Sequence, residues 1–103
     1  MSEPLPIEVS ALARAQVHDA ETWWHTNRPK APGAVRAELD RASSLLAFQP
    51  NIGTRATNAT LPHVRRLHLG RIHYDLYYRV VDAPRRLEIL ALWHVSRGSQ
   101  PPI

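Results

Sequence analysis

The chain has 103 residues, a mass of 11.7 kDa, no cysteine, 44% hydrophobic and 21% charged residues, and a formal charge of +4. A chain of this size buries roughly two thirds of its unfolded surface, so one domain over residues 1–103 is expected, with no need of a disulfide or metal staple. Its longest unbroken apolar stretch, residues 89–93, falls far short of the roughly 20 residues of a membrane span, and the opening MSEPLPIEVS has acids and prolines where a secretory leader has positive charge. The expected compartment is therefore the cytoplasm.

Residues 6–9 alternate apolar and polar side chains, as a short strand does, and Ser10 stands where a helix N-cap would stand. From 11 to 27, Leu12, Ala13, Ala15, Val17, Ala20, Trp23 and Trp24 recur at spacings of three and four, predicting an amphipathic helix. Pro29 pushes Arg28 out of helical geometry and Pro32 fits the first turn of a second helix, so a tight helical hairpin follows. That second helix, residues 32–48, places Val35, Leu39, Ala42 and Leu46 on one face, and Pro50 with Gly53 closes it.

Residues 54–62 show no helical period and read as a loop or an irregular edge strand. Strands are predicted at 64–69, at 71–80 and at 87–95, with Gly70 making the first turn and Asp82-Ala83-Pro84-Arg85 the second. The tail 98–103 is expected to leave the sheet. The fold class is α+β: an N-terminal helical hairpin, with or without a short strand before it, packed on a C-terminal antiparallel sheet of three to four strands. The sheet face away from the helices is expected to be polar and to carry Arg66, His68, Arg71, His73, Asp75, Tyr77, Arg79 and His94.

Charge is uneven along the chain. Residues 1–50 hold five bases against six acids, whereas residues 51–103 hold eight arginines against three acids. Lys30 is the only lysine, and the planar guanidinium suits phosphates, carboxylates or an acidic partner. With no cysteine, and with His63 and His68, five apart, set on opposite faces of a strand, no metal site and no cofactor is expected. One of His68, His73 and His94 is a candidate acid or base beside the arginines, against the plain alternative of hydrogen-bonded structural histidines. Glycine-rich phosphate loops, G-x-S-x-G elbows and paired glycosidase acids are all missing. Of Trp23 and Trp24 at least one is expected in the core, the balance favouring burial of both, and an exposed one would serve a partner.

Several strings, in this order, resemble the RelE/ParE family of small bacterial toxins: Leu46-Ala47-Phe48-Gln49-Pro50-Asn51-Ile52-Gly53, Val64-Arg65-Arg66-Leu67, Tyr74-Asp75-Leu76-Tyr77-Tyr78-Arg79-Val80-Val81-Asp82, and Ile89-Leu90-Ala91-Leu92-Trp93-His94-Val95-Ser96-Arg97. The resemblance covers nearly the whole chain. It implies a type II toxin-antitoxin toxin, either a ParE-like inhibitor of DNA gyrase or a RelE-like nuclease that cuts messenger RNA on the ribosome. RelE-like enzymes carry an arginine where Asp75 follows Tyr74, and they keep a tyrosine or histidine beyond the last strand, where this chain has Gly98-Ser99-Gln100-Pro101-Pro102-Ile103. The ParE-like branch is therefore favoured, with growth arrest and plasmid stabilisation as the expected roles.

A nuclease would draw on His68, His94 and Arg97, and target or nucleic-acid contacts would fall on Arg65, Arg66, His73, Arg79 and Arg97. The resemblance also implies a cognate antitoxin of ribbon-helix-helix type with a disordered acidic tail, and operator DNA bound through the antitoxin complex. Trp23 and Trp24 are the candidate partner-binding residues. A degenerate binding module without toxicity is the third alternative.

Overall fold

The computed structural model describes residues 3–103. Strand β1 (Ile7–Val9) leads into helix α1 (Ala11–Asn27), and α2 (Ala34–Phe48) follows after a short turn. Four more strands complete the chain: β2 (Thr54–Arg55), β3 (Arg65–Leu69), β4 (Tyr74–Val81) and β5 (Arg86–His94), with one 3₁₀ turn at Val95–Arg97. The Ser10 hydroxyl caps α1 by accepting from the Ala13 N–H at 3.1 Å, and it donates to the Leu90 carbonyl at 3.1 Å, so one side chain starts the helix and fastens it to the sheet. Helix α1 ends where the Arg28 N–H closes on the Trp24 carbonyl and Pro29 prevents another turn. Helix α2 starts at Ala34, two residues later than the periodicity predicts. Its cap is Gly33, which has no side chain to accept a bond.

The sheet order is β1-β5-β4-β3-β2. All pairs are antiparallel except β1 with β5, which is parallel. The expected antiparallel sheet thus gains a fifth, parallel edge strand. The helical hairpin supplies the long crossover that parallel pairing needs, and the Leu87 N–H to Pro6 carbonyl (2.9 Å) and Ser10 N–H to Ile89 carbonyl (3.0 Å) bonds hold β1 there.

Strand β4 begins at Tyr74, not at residue 71. Residues 70–73 instead fold as the turn: the Ile72 and His73 N–H groups both donate to the Leu69 carbonyl, and His73 has φ 63°. Ile72, 1% exposed, drops from that turn into the core. Glu38, buried on α2, lies 3.7 Å from Arg71 and 3.0 Å from Arg41, tying the turn to the helix.

The main core lies between the helices and one sheet face. Ala13, Val17, Val35, Leu39 and Leu46 pack there on Leu69, Leu76, Tyr78, Leu87, Ile89 and Leu92. A bulge breaks the alternation: Tyr77 pairs with Ala91 and Tyr78 with Ile89, leaving Leu90 as the extra residue. Leu90 and Ala91 therefore both join a second apolar cluster on the opposite face, with Tyr77 and Val64 buried and Trp93, Leu61 and Ile103 packed around them.

This corrects the expectation of a wholly polar outer face. The connection from β2 to β3 and the C-terminal tail lie across it. The Thr60 N–H donates to the Ile103 carbonyl (2.6 Å) and Trp93 Nε1 to the Ser99 carbonyl (2.8 Å). The tail leaves the sheet, as expected, but folds back over its surface, where Ile103 packs on the second apolar cluster and Pro101 is buried.

Candidate functional site

A polar knot joins the end of α2 to the sheet. The buried Tyr78 hydroxyl donates to the Pro50 carbonyl at 2.7 Å and accepts from the Gly53 N–H at 3.0 Å, while Arg65 Nη1 donates to the Gly53 carbonyl at 2.7 Å. Burial pushes the Tyr78 hydroxyl above its ordinary pKa, opposed by the Gly53 hydrogen bond and the Arg65 charge. Only glycine fits at position 53, because a Cβ there would stand 2.5 Å from the tyrosine oxygen and 2.9 Å from the Arg66 carbonyl.

Above this knot opens a cavity of about 590 Å³, walled by residues 50–51, the connection from β2 to β3, and the β4–β5 turn. Four arginines line it, Arg55, Arg65, Arg79 and Arg85, against a single acid, Asp82. Arg79 is satisfied by Glu88 at 2.9 Å and Arg85 meets Asp82 at 3.8 Å in an exposed pair. Arg55 and Arg65 have no carboxylate partner among the described residues. Sequence reasoning found Arg65 and Arg79 but missed Arg55 and Arg85, whose only signal is arginine placed beside turn residues. The pairing of β2 on β3 on β4 gathers Arg55, Arg65 and Arg79, and the β4–β5 turn adds Arg85.

The outer face of β3 and β4 carries a second polar group. His68 and Asp75 are cross-strand partners with Nδ1 to Oδ1 at 2.9 Å, and Arg66 Nε lies 4.0 Å from the other carboxylate oxygen. His94 is not with them. The bulge turns it to the helix side, where its ring meets Tyr74 edge-on with centroids 5.0 Å apart, and its Nδ1 accepts from the Ser96 N–H at 3.1 Å. His73 sits in the β3–β4 turn and is exposed.

Arg97 stacks on Trp93, its guanidinium carbon 4.2 Å from the ring centroid. The three candidate nuclease residues, His68, His94 and Arg97, are thus distributed over two sheet faces and a terminal turn, and the shared histidine-bearing face expected from strand parity is not formed. Tyr74, beside His94, has its hydroxyl pKa raised, chiefly by burial; Arg97 lowers it and Asp19 raises it further.

Trp24 is half-buried against the main core, whereas Trp23 is 46% exposed. Burial of both is therefore corrected: the helix turns Trp23 outward, where Arg28 stacks over it at 5.3 Å. A smaller cavity of about 340 Å³ between α1 and α2 is lined by Arg14, His18, Arg36 and Asp40 among others, with Arg36 paired to Glu21 at 3.0 Å. No group of three or more histidine, cysteine, aspartate or glutamate side chains comes together to hold a metal among the described residues. No helix of the described chain is long and apolar enough to cross a membrane.

Residues 7–98 match the family model described as the ParE toxin of type II toxin-antitoxin system, parDE. Among solved structures, the chain is similar to one titled as a chromosomal ParDE toxin-antitoxin system from P. aeruginosa, with a TM-score of 0.70 and 21% identity over 91% of this chain and 99% of that one. That likeness is one of fold. No match was found among curated proteins.

Proposed function

The chain belongs to the ParE toxin family of type II toxin-antitoxin systems, and from that premise we propose that it arrests growth by binding DNA gyrase, without cutting a substrate of its own. Membership in such a system implies an antitoxin as its partner. The observation that carries the proposal is the family match over residues 7–98.

The geometry agrees with it. Asp75 occupies the outer face and is engaged by His68 and Arg66; a carboxylate there repels a scissile phosphate. His94, the other candidate acid or base, faces the opposite side of the sheet. Binding by contact draws instead on what the surface offers: cationic side chains at Arg55, Arg65 and Arg97, and apolar ones at Trp23 and Phe48.

In this reading residues 1–103 act as one domain in the cytoplasm, the antitoxin is of ribbon-helix-helix type with a tail that orders on binding, and operator DNA is contacted through the complex. Purified protein added to gyrase should block supercoiling and trap cleaved DNA. Unchanged supercoiling with no cleavage complexes refutes gyrase as target. The ribonuclease alternative rests on the His68–Asp75 pair beside Arg66, and it requires that ribosomes supplied with the protein yield cut messenger RNA.

A further inference from the structure

We propose that the arginine-lined cavity above the Tyr78 knot binds a phosphate monoester carried on a body of sugar or nucleoside size. This goes beyond the toxin reading and does not depend on it. Strand register supplies the first reason. Arg55 on β2 and Arg65 on β3 are direct cross-strand partners, and both line the cavity. Residues directly opposite in an antiparallel pair have Cβ atoms about 4.5–5.5 Å apart, and like charges so placed destabilise the pair. Neither arginine has a carboxylate partner among the described residues. Strand β2 pairs with β3 only through Thr54 with Arg66 and Arg55 with Arg65, so half of its register sets two cations against each other. An anion between them turns that repulsion into two attractions.

The second reason is the charge left over. Of the four arginines in the lining, Arg79 is neutralised by Glu88 at 2.9 Å and Arg85 meets Asp82 at 3.8 Å. The formal charge of +2 that remains is that of Arg55 and Arg65. A phosphate monoester carries about −1.5 to −2 near neutral pH on three acceptor oxygens, so one group answers both guanidiniums. A carboxylate or a phosphodiester has a single charge and leaves one cation unanswered. Arg65 is held beforehand, because its Nη1 donates to the Gly53 carbonyl at 2.7 Å, and a guanidinium has further N–H donors to offer a ligand.

The third reason is room. The volume of about 590 Å³ lies in the range of about 300–1,000 Å³ usual for small-ligand sites, and a lone phosphate fills little of it. Leu61, Val64 and Val80 give the cavity apolar wall, and Thr57 and Thr60 bring hydroxyls to it. A sugar or nucleoside, with apolar faces and hydrogen-bonding edges, suits such a lining.

Isothermal titration calorimetry of the full chain in phosphate-free buffer tests this with adenosine monophosphate, ribose phosphate, inorganic phosphate, adenosine and glutarate. Adenosine monophosphate should bind, inorganic phosphate should bind at least about tenfold more weakly, and adenosine and glutarate should not bind. Arg55→Gln should weaken adenosine monophosphate about tenfold by removing a charge-assisted contact, and Arg36→Gln, on the helical hairpin, should leave it unchanged. Melting curves guard against misfolding. Without ligand, Arg55→Gln should melt no lower than wild type, since it relieves the like-charge pair. Excess adenosine monophosphate should raise the wild-type Tm more than that of the variant.

Ribose phosphate binding as tightly as adenosine monophosphate upholds the site and makes its ligand a sugar phosphate; weaker binding upholds it and makes the ligand a nucleotide. No binding of either monoester by calorimetry or melting overturns the proposal, as does binding that Arg55→Gln leaves unchanged. Glutarate or inorganic phosphate binding as tightly as both monoesters also overturns it, leaving an unselective anion site. Tighter, Arg55-dependent binding of a single-stranded oligonucleotide without a terminal phosphate overturns it as well and makes the cavity a nucleic-acid backbone site. None of these outcomes bears on gyrase, whose supercoiling assay decides the toxin reading separately.

Discussion

Replacing Tyr78 by phenylalanine keeps the ring, which is fully buried in the main core, and removes the one oxygen that joins three segments. That oxygen serves the Pro50 carbonyl and the Gly53 N–H, so its loss leaves an acceptor and a donor without partners. Gly53 is buried and Pro50 only half-buried, so the donor suffers the fuller desolvation penalty while water relieves the acceptor in part. At about 1–3 kcal/mol for each unsatisfied buried group, the expected loss is about 2–4 kcal/mol. For a domain near this size that lowers Tm by at least about 8 °C.

Urea unfolding followed by tryptophan fluorescence measures the difference directly. A second readout separates the hydroxyl from simple repacking. Burial raises the Tyr78 pKa above its ordinary 10.0, so the folded state favours the neutral phenol. The stability this contributes is complete below the unfolded pKa and is lost as pH rises through the higher folded value. The wild-type chain should therefore weaken above about pH 10, and the phenylalanine variant should weaken less steeply there, Tyr74 still titrating in both. A variant within about 0.5 kcal/mol of wild type, or one with an unchanged alkaline slope, would refute the knot as described.

Gly53→Ala should be at least as damaging, because the added methyl meets the tyrosine oxygen and a backbone carbonyl that has little room to retreat; a normal melting curve would contradict it. Ser10→Ala removes both the α1 cap and the bond to the Leu90 carbonyl and should cost about 1–2 kcal/mol in chemical denaturation, with Ser10→Thr retaining most of it. Trp24→Ala should destabilise by about 2–4 kcal/mol and Trp23→Ala by under about 1 kcal/mol, a ranking set by burial and checked by paired melts. Gln16→Ala deprives the Leu92 N–H of its 2.8 Å acceptor beside the bulge and should cost about 1–2 kcal/mol, with faster amide hydrogen exchange at Leu92 as its signature.

Local chemistry made much of the fold legible. Ser10 is a good N-cap and Pro29 a strong breaker, so α1 ends where the residues say it must. Val35, Leu39, Ala42 and Leu46 repeat at helical spacing and are all buried. The turn residues around Gly70 and Pro84 separate the last three strands. Families are recognised from such strings because cap, breaker and alternation are properties of neighbouring residues.

The site was less legible, and the bulge shows why. Strict alternation from Ile89 puts Ala91 and Trp93 on one face and His94 on the other with His68. One extra residue at Leu90 reverses that phase, sending Trp93 outward and His94 toward the helices. Period-two reasoning has no access to such a slip, because it depends on how β5 pairs with β4.

The arginine cavity has the same origin. Arg55, Arg65, Arg79 and Arg85 are spread over 31 residues, and only the register of three strands and two turns sets them around one space. Charge balance, capping and helical period are summed along the chain, and the sequence by itself determined them: a basic C-terminal half, a helical hairpin and a sheet. Which side chains meet is a matter of contacts between residues distant in sequence. The tertiary structure alone decided that His94 lies apart from His68, that Trp23 faces water, and that four arginines converge on one cavity.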